Sequence, residues 1–558
     1  MTDPASHRKA RGAFYTPASI TAYLAGWAIR APADRVFEPS CGEAGFLLAA
    51  GERLRALGTK PERLAGQLQG VEIHAGSARQ AARLLASQGM RAGIEVADFF
   101  DRSPAPEFDA VIGNPPYVRY QSFSGEARAR AQRAALAAGV RLTGLSSSWA
   151  AFCIHASRFL RPEGRLALVL PGELLTVNYA AQVRRFLLRR FARVRLILFD
   201  TRVFPGVLED VVLLLAEGQG GAPCFELYQA GSPDALPTPD APAWTEHRPE
   251  DGQKWTPALI AADAFSLYRH IAAGPGFAPM LEWGETWLGA VTGNNAWFSL
   301  GRDEAARLGV AKEDLRPISP PGSRHLRGLV FDRRAWEGLA ADGAGCFLFD
   351  PRDDSDAAVR RRIDTGRQRR VHTAYKCRVR SPWWRVPLGA VPDLLLTYMN
   401  QDRPRLLTND ARVHILNSVY GVTLRAGLRR LGRELLPLAF LNSLSLLGAE
   451  MVGRSYGGGL LKLEPKEADI LPVPSPALLR AAAPLLRAAR PAVEEALLAG
   501  DVVGAVAQVD CILLTGRLGL ADAEVAALRM ARDLLSQRRR ARGKRVVAKP
   551  RGIGDAGS

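Results

Sequence analysis

The sequence predicts a doubly wound, Rossmann-like α/β sheet with an antiparallel final strand, joined to a C-terminal mixed α+β domain and a helical segment. Three observations lead there. Short β-rich runs alternate with helical stretches from Val36 to about Leu215. Successive runs end on an acid or an amide. A Gly/Pro-rich passage, AEGQGGAPCFELYQAGSPDALPTPDAPAW, then separates this region from a long basic remainder.

Taken in order, the runs RVFEP, LQGVEI, IEVADFF, FDAVIGN and RLALVLP read as buried strands. Before the last of them, AAFCIHASRFL has helical apolar spacing and is expected to stop at Arg161-Pro162-Glu163-Gly164. RLILFD and VVLLLA lie too close for a crossover helix, so they are expected to pair antiparallel. The boundaries predicted are a first domain over 1–243, a second over 257–475, an Ala/Leu/Arg helical segment over 476–537 and a basic disordered tail over 538–558. At 558 residues the chain exceeds one ordinary core.

The formal net charge of +18 points to a polyanionic partner, nucleic acid first and a membrane surface second. No apolar run approaches the ~20 residues that span a bilayer. The start, MTDPASHRKARG, is not a signal peptide, so a soluble intracellular protein is expected. Six scattered cysteines without a CxxC pair read as buried reduced thiols, and no His/Cys/Asp cluster has metal-ligand spacing. No metal is therefore expected. His74 reads as a surface or packing residue.

VFEPSCGEAGFLLAA places a strand, a turn with Gly42 and Gly45, and a helix, the geometry in which backbone approaches a small ligand. Glu38 and Glu43 in this turn would repel a pyrophosphate. A cationic cofactor without phosphate, such as S-adenosylmethionine, suits the turn better. The next run ends on Glu72, placed to accept from two ribose hydroxyls. The run after it ends on Asp98, placed to accept from an adenine amine, with Phe99 to cover the ring. A single acid at a strand end is usually a solvated residue or a cap; three at successive ends are harder to dismiss.

Asn114-Pro115-Pro116-Tyr117 closes the fourth run. An amine conjugated to an aromatic ring has a delocalised lone pair, so a catalyst must hold both N–H bonds to free it. The Asn114 side-chain oxygen and the Pro115 carbonyl supply two acceptors, aimed by prolines of fixed φ. Tyr117 can stack on a base rotated out of its duplex. The competing view makes these four residues a rigid turn.

These motifs resemble the gamma class of S-adenosylmethionine-dependent DNA adenine-N6 methyltransferases, the group that includes the TaqI modification enzyme and the methylase parts of Eco57I-like systems. GAFYTP, FEPSCGEAGF, GVEI, ADF and NPPY stand in that class's order, and the resemblance covers residues 9 to about 215. It implies a cofactor set of Thr16, Glu38, Pro39, Ser40, Cys41, Gly42, Gly45, Glu72, Ile73, Asp98, Phe99, Asn114 and Pro116, with Thr16 at the methionine end. Ser40-Cys41 ahead of Gly42 is a departure at a position where the class varies. FDTRVFPGVLEDVVLLL resembles the class's Val-Phe-Pro stretch, which makes Phe204 the second aromatic against the flipped adenine. From the residues alone, Phe204 reads as a core aromatic.

The resemblance also implies target recognition by the remainder. Arg367, Arg369, Arg370, Lys376, Arg378, Arg380, Trp383 and Trp384 are the candidate DNA contacts, in a stretch where Arg360, Arg361 and Arg362 begin the run and Tyr375 interrupts it. The alternative is an arginine-rich exposed strand pair with its tryptophans in the core. VTGNNAWFSL and SYGGGLLKLEPKEADILPVP resemble segments that bracket recognition domains. The tail from Arg538 adds salt-sensitive affinity for DNA or simply solubilises the end.

The expectation is a stand-alone modification methylase, since the cofactor motif starts near residue 1 and leaves no room for a fused nuclease. Its expected partners are double-stranded DNA and a cognate restriction endonuclease, and it is expected as a monomer in bacterial or archaeal cytoplasm, on the nucleoid when bound. Two rival classes remain: methylation of a glutamine amide or an RNA base amine, and a catalytically retired DNA-binding protein.

Overall fold

The computed structural model describes residues 16–118, 122–199, 203, 211–236, 244–456 and 459–541. Two compact units result, the described residues up to Leu259 and the segment Ile260–Arg540.

The first unit is built on one sheet of nine strands: β1 Val36–Glu38, β2 Leu68–Val71, β3 Gly93–Glu95, β4 Phe108–Gly113, β5 Leu160–Pro171, β6 Arg193–Phe199, β7 Val211–Glu217, β8 Phe225–Ala230 and β9 Thr245–His247. Their order is β3-β2-β1-β4-β5-β7-β6-β8-β9. β1 to β5 run parallel, with Val36 beside both Leu68 and Ala110. Every residue of β1 is buried, as a strand covered on both faces requires. The chain winds outward from β1 to β3, then returns to place β4 on the other side of β1, so the crevice beyond their carboxyl ends is a topological switch point.

β7 runs antiparallel to both β5 and β6, the pairing expected from the short spacing of the two runs. Two expectations fail nearby. Arg161-Pro162-Glu163-Gly164 is no helix stop: the helix already ends at Ser157, and these residues form a bulge where Leu160 faces Phe108 but Arg165 faces Ala110. The Gly/Pro-rich passage is not a plain linker either. It contains β8, parallel to β6, and β9 follows at 245–247, beyond the expected boundary at 243. The glycines and prolines flank the strand, and its alternating burial was hidden by its setting.

Helices cover the sheet. α1 Ala18–Ala28 buries Ile20, Leu24, Ala25 and Trp27; α2 Gly45–Ala56, α3 Ala75–Ser87, α4 Gly125–Leu136 and α5 Ser148–Ser157 follow. α5 is buried at every position, which accounts for its lack of a polar face.

The second unit is mixed α+β. A five-stranded sheet in the order 284–288, 420–424, 394–396, 406–409, 330–331 is joined by a three-stranded sheet of 299–300, 347–349 and 315–317. One of its hydrophobic clusters centres on Trp297, Phe298, Phe349 and Trp384, and another on Phe331, Trp336, Leu395 and Ile415. The helical segment read as separate belongs to this unit: Pro476–Leu498 packs on Arg429–Ala439 and buries Leu478, Leu479, Ala482 and Leu486.

The tail read as disordered from residue 538 begins inside a helix, Asp522–Ala541. Arg539 is 3% exposed, and its guanidinium pairs with Glu450 at 2.7 Å. Among the described residues no single helix is long and apolar enough to cross a membrane. All six cysteines are free; Cys41, Cys153, Cys346 and Cys377 are buried, whereas Cys511 is exposed.

Candidate active site and nucleic-acid interface

The acids and the amide singled out in the sequence sit at the carboxyl ends of adjacent parallel strands. Glu38 ends β1, Glu72 follows β2, Asp98 follows β3 and Asn114 follows β4. This gathering is a property of the sheet, since strands β1, β2 and β4 are in direct register.

Between β1 and α2 the backbone turns through Gly42 at φ +47° and Ala44 at φ +65°. A left-handed alanine is a strained choice, held here by the Ala44 N–H to Cys41 carbonyl bond at 2.6 Å. Gly45 has an ordinary φ, and a Cβ added there would meet no other atom within 4 Å. The protein's own packing does not demand that glycine, so the space beside it is open to a ligand.

Glu38 is buried, with Oε2 accepting the Leu47 N–H at 3.2 Å. Burial pushes its carboxyl well above the usual carboxylate range, against the Leu47 bond and together with the nearby Glu72. A cation placed beside this buried acid would relieve it. Glu72 accepts the Gly42 N–H on Oε2 and the His74 N–H on Oε1, both at 2.9 Å. Its two oxygens thus brace the glycine turn, with lone pairs left for hydroxyl donors. Burial also pushes the neighbouring Cys41 thiol up. Beyond β2, Ile73 is 57% exposed, an apolar side chain at the rim of the turn. Val96, after β3, is similarly exposed and was not marked by the sequence. A buried acid, an open glycine turn and exposed aliphatics fit a cation that carries a flat ring, which is the description of S-adenosylmethionine.

Asp98 accepts the Phe100 N–H at 3.0 Å, capping the short helix Phe99–Asp101, and pairs with Arg130 of α4 at 3.0 Å. Phe99 departs from its expected role. It is 3% exposed, packed 5.0 Å from Phe152, 5.6 Å from Phe159 and 4.7 Å from His155. The 3-10 turn directs the first phenylalanine of Asp98-Phe99-Phe100 into the core and leaves Phe100 half-buried. In the same cluster, burial pushes the His155 imidazole down to about 4.

Asn114 Nδ2 donates to Thr16 Oγ1 at 3.1 Å, and Ser40 Oγ donates to the Asn114 carbonyl at 3.4 Å. Thr16, expected at the cofactor, thereby also orients the amide. Tyr117 is 8% exposed and its hydroxyl donates to the Val169 carbonyl of β5 at 2.9 Å. The ring is anchored through its far end.

One residue was missed in the sequence. Ser148, at the start of α5, donates from Oγ to the Pro116 carbonyl and accepts the Val118 N–H at 2.9 Å, while its own N–H donates to the Val118 carbonyl at 3.0 Å. It clamps the loop just after the two prolines. Its only sequence signal is a run of three serines ahead of a helix, the ordinary mark of a cap. Phe204 lies outside the described residues.

In the second unit the arginine-rich stretch is not a strand pair. It forms Ala357–Gln368, a short turn at Val371–Thr373 and Tyr375–Arg378. Trp383 and Trp384 are corrected to core residues: Trp383 packs 5.0 Å from Trp297, and Trp384 is buried in the same cluster. Large flat rings fill a core that this small sheet alone leaves thin. Arg380 donates to the Thr292 carbonyl at 2.9 Å and to the Val291 carbonyl, and Arg362 is buried against Glu304. Arg367, Arg369, Arg370, Lys376 and Arg378 remain exposed.

Comparison with known proteins agrees with this division. Residues 2–219 match the N-6 DNA Methylase family model, and residues 252–514 match the C-terminal domain model of the Type II methyltransferase M.Eco57I. The chain is 28% identical to the Type II methyltransferase M.XamI of Xanthomonas campestris pv. amaranthicola, over 85% of this chain and 87% of that protein. It is 20% identical to M.AccI of Acinetobacter calcoaceticus, over 83% and 85% respectively. In fold it resembles the Type IIL restriction-modification enzyme MmeI, solved in complex with DNA, at a TM-score of 0.57 and 14% identity, covering 92% of this chain and 73% of that one.

Proposed function

Because this chain belongs to the gamma-class N6-adenine DNA methyltransferases, and is a DNA methyltransferase of the restriction-modification kind, we infer that it methylates N6 of an adenine rotated out of duplex DNA. The observation that carries the reading is Asn114 at the end of β4, its amide fixed by Thr16 beside the open turn of Gly42 and Gly45.

S-adenosylmethionine, when bound, supplies an electrophilic methyl on a positively charged sulfur. Glu38, Glu72 and the Pro39-Ser40-Cys41-Gly42 turn would hold its cationic and ribose portions, and Ile73 would cover its ring. Asp98 would accept from the ring's amine with the lone pairs its cap and ion pair leave free. The chain's own work is at the target amine. Asn114 Oδ1 and the Pro115 carbonyl accept its two N–H bonds, which turns the nitrogen lone pair out of conjugation and toward the methyl. As the N–C bond forms, the methyl's bond to the sulfonium would break and leave its electron pair on a neutral thioether sulfur, and one proton would pass from the nitrogen to solvent water. Tyr117, held by Val169, stacks on the extruded base, with Phe204 proposed on the other side. The clamp on Ser148 keeps both carbonyl and ring from drifting.

The second unit reads the duplex, through exposed Arg367, Arg369, Arg370, Lys376 and Arg378 rather than through Trp383 and Trp384. A cognate restriction endonuclease, action as a monomer and a place in the cytoplasm complete the reading.

The test is single-molecule sequencing of DNA from a methylation-deficient bacterial host that expresses the protein or its Asn114→Ala variant. N6-methyladenine at one recurring motif, with wild type only, is the expected result. No modified adenine from a protein that still binds S-adenosylmethionine would move the substrate to an RNA base, a glutamine amide or nothing at all.

A further inference from the structure

The turn after Ala357–Gln368 has two unlike faces. Its inner side is pinned. Cys377 is fully buried with Sγ donating to the Thr292 carbonyl at 3.5 Å, and Arg380 donates to that same carbonyl. Cys377 packs against Gly293, at φ +92°, where an added Cβ would stand 3.0 Å from Cys377 Sγ and 3.3 Å from Lys376 Cβ. Only glycine permits this close approach.

The outer side carries Tyr375 at 65% exposure and Val379 at 63%. The Val379 N–H donates to the Tyr375 carbonyl at 3.3 Å, so one turn of helix sets the two side chains on one face. Close to them in sequence are the exposed Arg369, Arg370, Lys376 and Arg378. Among the described residues none of these four pairs with an acid, while neighbouring Arg362 and Arg367 do. The Lys376 ammonium lies 5.8 Å from the Tyr375 ring. A pinned mount thus presents two large apolar groups in a stretch of exposed cations that no acid among the described residues neutralises.

We propose that this turn is a wedge for duplex DNA: Tyr375 and Val379 enter between base steps while Lys376 and Arg378 neutralise the flanking phosphates. The inference rests on the DNA reading above and names the surface that grips the substrate. Water is a poor neighbour for two adjacent apolar side chains, and an acidic protein partner would have no need for a flat ring. Base stacking uses both the ring and the charge. Because Cys377 and Arg380 hold the turn beforehand, insertion orders little additional chain.

The test uses the full-length protein and an end-labelled duplex that carries the motif recovered by sequencing, with 2-aminopurine placed at successive steps other than the target adenine and its immediate neighbours. Replacing Tyr375 and Val379 together by serine is expected to weaken binding roughly tenfold. It should also remove the aminopurine fluorescence rise while leaving the slope of log K against log salt unchanged. Tyr375→Phe should bind as wild type. Replacing Lys376 and Arg378 together should lower that slope by about 2. Both apolar positions are exposed, so the serine variant keeps its core, and an unchanged Tm verifies this. A double-serine variant that binds as wild type, or a wild-type complex without any aminopurine response, overturns the wedge while methylation at the motif leaves the DNA reading standing. A wild-type protein that methylates no DNA and binds no duplex overturns both.

Discussion

Asn114 reaches across 98 residues of sequence to donate from Nδ2 to Thr16 Oγ1 at 3.1 Å. That bond decides which end of the amide is left as an acceptor. Asn114→Ala is therefore expected to lower single-turnover methyl transfer by roughly 10²–10³-fold or more, with cofactor affinity nearly intact. Thr16→Val should cost about tenfold, since it releases the amide without deleting it. Parallel loss of transfer and cofactor binding in Asn114→Ala would refute the assigned role.

Ser148 joins α5 to the loop after the prolines through three hydrogen bonds. Ser148→Ala removes the two made by its hydroxyl and leaves a part-buried carbonyl and N–H without that partner, at up to about 1–3 kcal/mol each. Expected is a fall of about tenfold or more in kcat with cofactor affinity unchanged. A lower Tm with an unaltered kcat would reduce Ser148 to a purely structural part.

Glu38 is a buried acid whose affinity for its proton is raised mainly by burial. A cationic ligand beside it favours the ionised form and so opposes that rise. Cofactor binding should then release protons, visible calorimetrically as heats that differ between buffers of unlike ionisation enthalpy. Glu38→Gln should abolish that difference. Identical heats for wild type in two buffers would remove Glu38 from the cofactor's cationic end.

His155 carries a folded-state pKa lowered to about 4, chiefly by burial among Phe99, Phe100 and Phe159. Below the usual imidazole value near 6.5 the unfolded chain takes up a proton that the folded chain refuses, so stability falls as pH drops from about 6.5 toward 4. His155→Phe should flatten part of this acid loss in Tm against pH. A variant as acid-sensitive as wild type would place the titrating group elsewhere.

Arg539 and Glu450 form an ion pair with side chains 3% and 7% exposed. Removing one partner strands the other, and Arg539→Ala is expected to cost about 3–5 kcal/mol. Chemical denaturation followed in the full chain measures it. Stopping the chain after Ala541 should cost far less, because it spares Arg539 itself. Similar losses in both would show that the terminal residues contribute to stability as well.

The amino-acid order alone made the first seven strands of the sheet legible, with acids and an amide at their ends. Acids and amide at strand ends, glycines in the first turn and two prolines after Asn114 are local backbone requirements, and local requirements are written in neighbouring residues. Position within the folded interior is not local. Trp383, Trp384 and Arg380 lie in a stretch as basic as any DNA contact, yet packing against Trp297 and the Thr292 carbonyl turned them inward and left Tyr375, Val379, Lys376 and Arg378 outside. Phe99 and Phe100 are identical side chains one residue apart, and a single 3-10 turn chose which is buried. Arg539 lies in a run of arginines that reads as a solvated end, and Glu450, 89 residues away, together with the carbonyls of Gln401, Asp402 and Gly459, makes it a buried anchor. Which partner meets which side chain depends on the whole fold, because burial is shared between elements far apart in the chain.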